Sequence, residues 1–351
     1  MWGIWAHLTS DDSKATPAAA RLISSYTTAS LLPTPTPPLQ LVVDPSRACA
    51  TDYAQLPTDA HWNSITEGLT LRKQPRKIVH FTVFDCEEWM LEIKLAEMAP
   101  SVHLFVIGEA AYSNANEPRA QCFPSILASN PRIAQYQSKI MYVYMQERVQ
   151  NFVVWEAEVL YKNGVGHHFA DSSLSAELAD DDLAIFTDLD EILSTKFLEV
   201  LRNYDGFPLY IRASTRWSYY GFQWVNPNPT TVNIGVTWKA LRDAAYNTNE
   251  IRLSLMGQQP PEPVFQGAYV GWHCSWCLPM DRFISKIEHS SALELNIASN
   301  KRLEFLQDMR MRGLWFADQQ PNGCHASLDD ASFAPQYVKA NVRHLGAISV
   351  E

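Results

Sequence analysis

Short apolar runs alternate with helix-spaced stripes through the middle of the chain. Ile78 to Phe84 is β-branched and aromatic and predicts a strand. Glu87 to Met98 places apolar residues at Met90, Leu91, Leu95 and Met98, a helical stripe that Pro100 ends. Val102 to Gly108 predicts a second strand, running into Glu109. Strand, helix and strand within about thirty residues form a βαβ unit, which implies a parallel sheet. Ile140 to Met145 predicts a third strand, and Phe152 to Asn163 a helix with Trp155, Val159 and Leu160 on its apolar face. Gly164 to Asp182 reads as a polar connection; its adjacent His167 and His168 alternate faces, which suits a solvated loop better than a metal pair. Leu183 to Phe186 is a short apolar run, the pattern of a buried strand. Later elements are a helix over Thr195 to Tyr204, strands at Pro208 to Arg212 and Val232 to Trp238, a helix-like stretch Met280 to Ser299 and a charged helix Lys301 to Arg312. The alternation predicts an α/β fold with a mainly parallel sheet.

The ends differ in composition. Residues 1–75 contain Pro17 to Ala20 and the Pro-rich Leu31 to Pro38, a low-complexity pattern expected to be disordered or to act as a spacer. A folded domain is expected over 76–330, with a tail at 331–351.

The chain has 351 residues, 46% hydrophobic, with a formal net charge of -10. That charge argues against a nucleic-acid partner, because such binding rests on Lys and Arg at phosphates. Eleven Trp and fourteen Tyr supply core, and flat rings also suit sugar faces. Six cysteines, Cys49, Cys86, Cys122, Cys274, Cys277 and Cys324, are compatible with one to three bridges in an oxidising lumen. Cys274 and Cys277 are spaced C-x-x-C without a second pair for zinc, so structural thiols, or a bridge from one of them to a distant cysteine, are expected. No apolar run is long enough to span a membrane, and the first residues lack a signal-peptide pattern.

The chemistry concentrates where Leu183 to Phe186 breaks into Thr187-Asp188-Leu189-Asp190-Glu191-Ile192. Strand ends in open α/β sheets are where ligands bind. On an extended chain Asp188 and Asp190 point the same way, and paired carboxylates repel unless a cation sits between them. A hard divalent ion that also holds substrate phosphates fits this pattern. A surface turn, or a helix start with Glu191 in its first turn, has the same composition.

Five stretches, in order, resemble glycosyltransferase family 17, the β-1,4-mannosyl-glycoprotein 4-β-N-acetylglucosaminyltransferases (GlcNAc-transferase III). They are Phe84 to Ile93, Phe105 to Glu109, Thr187 to Ile192, Ser218 to Trp224 and Gly271-Trp272-His273-Cys274-Ser275-Trp276-Cys277. The resemblance implies a GT-A-like Rossmann-type α/β/α sandwich, a UDP-GlcNAc donor, Mn²⁺ or Mg²⁺, a glycan or glycoprotein acceptor and a Golgi location. Under it Asp188, Asp190 and Glu191 become metal candidates, and Asp188, Asp190 and Glu109 donor contacts. Transfer with inversion calls for a general base, for which Glu294 and Asp281 are the candidates, with Glu288 a rival. Tyr219, Tyr220, Trp224, Trp272, His273 and Trp276 are acceptor-platform candidates. Two positions depart from the family pattern: Ala292 replaces an expected His, and Ala157-Glu158 an expected Arg-Asn pair. These departures allow a same-fold transferase with another UDP-sugar or acceptor, or an inactive carbohydrate-binding member.

Overall fold

The computed structural model describes residues 45–49, 59–150, 152–153, 155–253, 264–321, 323–326, 334–342 and 344–345. In chain order its first half runs α1 (Asp59–Ile65), β1 (Thr70–Leu71), β2 (Ile78–Val83), α2 (Glu88–Met98), β3 (Leu104–Ala110), α3 (Phe123–Ser129), α4 (Pro131–Ala134), β4 (Ile140–Met145), α5 (Glu156–Ala170) and β5 (Leu183–Phe186). It continues with β6 (Glu191–Leu193), α6 (Thr195–Asn203), β7 (Tyr204–Asp205), β8 (Tyr210–Tyr219), β9 (Trp224–Val225), β10 (Thr230–Thr237), α7 (Trp238–Asp243) and α8 (Thr248–Leu253). The last elements are β11 (Val264–Gly267), β12 (Gly271–Ser275), α9 (Met280–His289), α10 (Leu303–Arg312), β13 (Cys324–His325) and α11 (Gln336–Ala340).

The expected parallel sheet forms the first half. β5, β2, β3 and β4 lie side by side in that order, all parallel. Both faces of these strands are covered, so β2 and β5 are buried along nearly their whole length. Alternate residues feed opposite layers. Ile78 packs with Phe105, Leu91 and Ile93 on the α2 side, while Val79 and Phe81 pack with Tyr161, Val165 and Phe169 of α5. The result is an α/β/α sandwich. β10 joins β5 antiparallel, and the long β8 then carries β10, β11 and β12.

Several expectations shift. α5 continues through Gly164, His167 and His168 to Ala170, so the polar connection begins only after the helix. The composition of that turn looks loop-like, but Val165 and Phe169 are buried at helical spacing. Residues 1–44 and 50–58 lie outside the described residues. Within the stretch expected to be disordered, Trp62 of α1 is buried, β1 pairs β7, and Cys49 is bonded to Cys324. At the other end, α11 docks on α2 through Tyr337, whose hydroxyl donates to Glu92 Oε1 at 2.6 Å. Two further bridges join Cys86 to Cys122 and Cys274 to Cys277. The C-x-x-C pair therefore closes on itself, because the turn after β12 brings the two Cα atoms to 5.5 Å.

Candidate active site

Chain order fixes where the site lies. From β2 the chain winds outward through β3 and β4, then returns to lay β5 on the other side of β2. The crevice outside the C-terminal ends of β2 and β5 is thus a topological switch point, the usual ligand position in such sheets. Phe84-Asp85-Cys86-Glu87 leaves β2 there, and Thr187 to Asp190 leaves β5 there. A cavity of about 210 Å³ opens between them, lined among others by Asp85, Glu87, Glu158, Lys162, Asp188 and Asp190.

The acidic stretch is a turn between two strands. Glu191 N–H donates to Asp188 O at 3.0 Å, and Asp188 N–H donates to Glu191 Oε2 at 2.8 Å. Glu191 begins β6, which pairs antiparallel with β12, so the expected helix start is replaced by a strand. Buried Lys94 of α2 holds the turn from below. Its ammonium donates to Thr187 Oγ1 at 2.7 Å, Asp188 O at 2.6 Å and Glu191 O at 2.7 Å, one acceptor for each of its three donors. Burial pushes the Lys94 pKa down to about 7, against the pull of Glu191 and Asp188.

Because the stretch turns, its three carboxylates separate. Arg252 of α8 donates to Glu191 at 2.6 and 2.8 Å and to Asp188 Oδ2 at 2.8 Å. Lys162 of α5 meets Asp188 Oδ1 at 2.7 Å. Burial opposes ionisation of Asp188, yet Arg252 and Lys162 outweigh it and hold its carboxyl far below the usual range. Glu191 is also lowered, with Arg252 overcoming burial. Asp188 and Glu191 are therefore neutralised by protein cations. Both carboxylate oxygens of each are engaged by protein donors.

Asp190 differs. Its neighbour is His273 on β12, with Nε2 at 3.7 Å from Oδ1. The β12–β6 pairing makes this juxtaposition: His273 is in register with Glu191, and Cys274 N–H donates to Asp190 O at 2.9 Å. His273 Nδ1 lies 3.2 Å from Thr230 Oγ1, its Nε2 lies 3.1 Å from Ser275 Oγ, and its ring stacks on Trp217 at 6.1 Å between centroids. A hydroxyl stands at each ring nitrogen, and the carboxylate beside the imidazole is the hard oxygen donor that Mn²⁺-type ions take. Asp190 thus offers a carboxylate on the cavity wall that fits a divalent cation, with the His273 imidazole 3.7 Å away. Glu109 lies elsewhere. It is fully buried beside the Cys86–Cys122 bridge, accepting from Cys122 N at 2.6 Å, Phe123 N at 3.1 Å and Tyr142 Oη at 2.6 Å. It organises the end of β3 and lines neither this cavity nor its neighbour. The adjacent sulfurs are joined as a disulfide, so this cluster offers no thiolates to a metal.

The other expected residues also separate. Tyr219, Tyr220, Trp224 and Trp272 are buried core. Tyr220 Oη donates to Leu314 O at 2.8 Å, and Trp224 Nε1 to Arg310 O at 2.9 Å. Trp224 is packed so closely that a Cβ on Gly313 would lie 2.3 Å from its ring. These rings knit β8 and β9 to α9 and α10, so they form no open platform. Trp276 is half-buried against Phe283 and Phe316. Asp281 is exposed beside Arg282, and Glu294 is exposed on a short 3₁₀ turn; neither lines the cavity. Missed by sequence reasoning were Glu87, whose Oε1 accepts from Lys286 Nζ at 2.6 Å, and Glu158, bonded by Lys162 at 2.7 Å and Ser291 at 2.6 Å. The signal for Glu87 was its position, just after an apolar strand.

β-1,4-mannosyl-glycoprotein 4-β-N-acetylglucosaminyltransferases of Rattus norvegicus and Homo sapiens are each 25% identical over 318 residues, covering 82% of this chain and 56% of theirs. The chain thus spans little more than half the length of these curated relatives. Among solved structures, a mannosyltransferase from Pyrobaculum calidifontis in complex with GDP-Man and Mn²⁺ is similar at 10% identity. The match covers 72% of this chain and 71% of that one, with a TM-score of 0.36. A glucosyl-3-phosphoglycerate synthase from Mycobacterium tuberculosis, in complex with Mn²⁺, UDP and phosphoglyceric acid, matches at 13% identity, 82% and 99% coverage and a TM-score of 0.33. The family model described as Glycosyltransferase family 17 matches residues 24–314, most of the sequence, and the chain belongs to that family.

Proposed function

We propose that this protein transfers N-acetylglucosamine, with inversion, from UDP-GlcNAc to a mannose of an N-glycan, in a bisecting β-1,4 linkage. The donor and acceptor classes follow the relatives' names. The observation that supports the reading in this chain is Asp190. Asp188 and Asp190 both line the cavity, and of the three carboxylates in the acidic turn Asp190 alone lacks a Lys or Arg partner among the described residues. Asp190 and His273 would hold the cation, Mn²⁺ or Mg²⁺, whose chemistry is to neutralise charge on the departing diphosphate. Lys162 and Lys286 are the cations on the cavity wall, set among five carboxylates, so a bound divalent cation would be needed to favour an anionic donor there. Lys94 and Arg252 keep the turn in one shape, so Asp190 is pre-positioned before substrate enters. The reading carries a Golgi location with it, and three disulfides suit an oxidising lumen.

One feature favours testing other donors beside UDP-GlcNAc. Glu158 places a carboxylate on the cavity wall where the family pattern leads one to expect Asn. Calorimetry of UDP-GlcNAc, UDP-glucose and UDP-galactose, with and without Mn²⁺, tests the reading on the wild type and Asp190→Ala. UDP-GlcNAc is expected to bind best, only with metal, and at least about tenfold more weakly to the variant. Metal-independent binding, or an unaffected variant, would refute the site. Preference for another sugar would keep the site and change the donor.

A further inference from the structure

A second cavity, about 460 Å³, adjoins the first and shares three wall residues with it: Asp85, Glu87 and Lys286. Its volume falls within the range of small-ligand sites, about 300–1,000 Å³. Its walls come from the turn after β2, the start of α2, the segment leading into α3, and α9. Trp89, Ile126 and Leu278 give it apolar surface. Trp89 Nε1 donates to Cys277 O at 2.9 Å, which fixes the indole against the wall. Gln121, Ser125 and Ser285 add neutral polar groups around that surface. Flat apolar faces bordered by hydrogen-bonding groups are what a pyranose presents and what this wall can meet.

Glu87 stands where the two cavities join. It is the N-cap residue of α2, yet its carboxylate makes no capping bond, so the side chain is released toward the cleft. Cys86 just before it holds φ of 57°, a backbone region uncommon for such a residue, within a turn closed by the bridge to Cys122. The Arg119 guanidinium donates to Phe84 O and Ala110 O, each at 2.8 Å, and pairs with Asp85, so the same turn is braced from β3. Lys286 Nζ orients the Glu87 carboxylate at 2.6 Å. Burial raises the Glu87 pKa, and Asp190 adds to the effect, against the pull of Lys286. That shift is in the direction a general base needs.

We propose that the larger cavity seats the oligosaccharide acceptor, a mannose-bearing glycan, with Glu87 at its inner end as the base for the reacting hydroxyl. This deepens, and rests on, the transfer reading above. The hydroxyl oxygen bonds to the anomeric carbon of the donor sugar while its proton passes to the Glu87 carboxylate. The bond from that carbon to the diphosphate oxygen breaks, and its electron pair leaves with the nucleotide. Glu87 replaces Glu294 and Asp281, which line neither cavity.

The test uses the whole chain with UDP-GlcNAc, Mn²⁺ and a mannose-terminated N-glycan oligosaccharide. Glu87→Gln is expected to lower kcat by about 10²–10⁴-fold with the calorimetric donor Kd unchanged, and Glu87→Asp to recover part of the loss. Ser125→Trp fills the cavity from an exposed rim position without touching the core. It is expected to raise the acceptor KM about tenfold or more with donor affinity unchanged. Retained kcat in Glu87→Gln overturns the base, and unchanged KM in Ser125→Trp overturns the cavity. Saturation-transfer NMR of the oligosaccharide with UDP and Mn²⁺ present separates the two readings. Signal lost in Ser125→Trp supports the cavity, and equal or absent signal in both proteins overturns it, whatever the donor calorimetry gives. Failure of the wild type to bind any UDP-sugar counts against the transfer reading.

Discussion

Replacing Arg252 with Met isolates what holds the acidic turn. The guanidinium makes two bonds to Glu191, at 2.6 and 2.8 Å, and one to Asp188, at 2.8 Å. Glu191 has a side chain only 2% exposed, so in the variant its charge stays buried with Asp188 N–H as its remaining hydrogen-bond donor. Asp188 is 39% exposed and keeps Lys162, so its loss is smaller. Breaking a buried pair by removing one partner costs ~3–5 kcal/mol. Most of that is the penalty on Glu191, and Met fills the volume of the lost side chain. Urea denaturation at pH 7 under non-reducing conditions should show the loss as a lower midpoint with an unchanged slope. The double variant Arg252→Met/Glu191→Gln should recover a large part of it, because a neutral amide needs no counter-charge. A loss below ~1 kcal/mol, or no recovery in the double variant, would refute the claim that Arg252 acts by neutralising Glu191.

Three further outcomes follow from other parts of the fold. Lys94 has a folded pKa lowered to about 7, so between there and its ordinary value near 10.4 the unfolded chain holds a proton that the folded chain lacks. Stability should therefore rise with pH across that window, and Lys94→Met should flatten the slope in a denaturation series. Gly271→Ala would put a Cβ 2.2 Å from Ile192 O and 2.9 Å from Leu193 Cα, forcing β12 from β6. A loss of ~3 kcal/mol or more in thermal unfolding is expected, along with weaker metal-dependent donor binding as His273 moves away from Asp190. The Cys49–Cys324 bridge spans a sequence separation of 275, so the paired Cys→Ser variant should lose ~2–5 kcal/mol in urea by freeing the unfolded chain.

Much of the frame was written locally. β2, β3 and β5 are short runs of buried residues, β4 is a half-buried apolar run, and the sequence of α2 spaces Met90, Leu91, Leu95 and Met98 at helical intervals, so periodicity located them to within a few residues. The break from Phe186 into Asp188 marked a strand end, and the parallel order made that end a binding crevice. Local composition misled where a segment's character depends on what packs against it. Gly164 to Ala170 looks polar, yet α5 continues because Val165 and Phe169 reach the sheet. Tyr219, Tyr220 and Trp224 look like a sugar platform, but α9 and α10 close over them.

What the sequence alone determined, then, is the α/β frame, the family and the position of the acidic turn, since each rests on contiguous residues and their spacing. The tertiary structure decided what each carboxylate does. Asp188, Asp190 and Glu191 are chemically alike and close in sequence, and only Arg252, Lys162 and His273, brought from α8, α5 and β12, pair two of them with protein cations and leave Asp190 on the cavity wall beside an imidazole. Glu87 gains its place in the same way, from a cavity wall assembled by α2, α3 and α9. Electrostatic roles depend on distances of a few ångströms between residues far apart in the chain, and those distances exist only once the chain has folded.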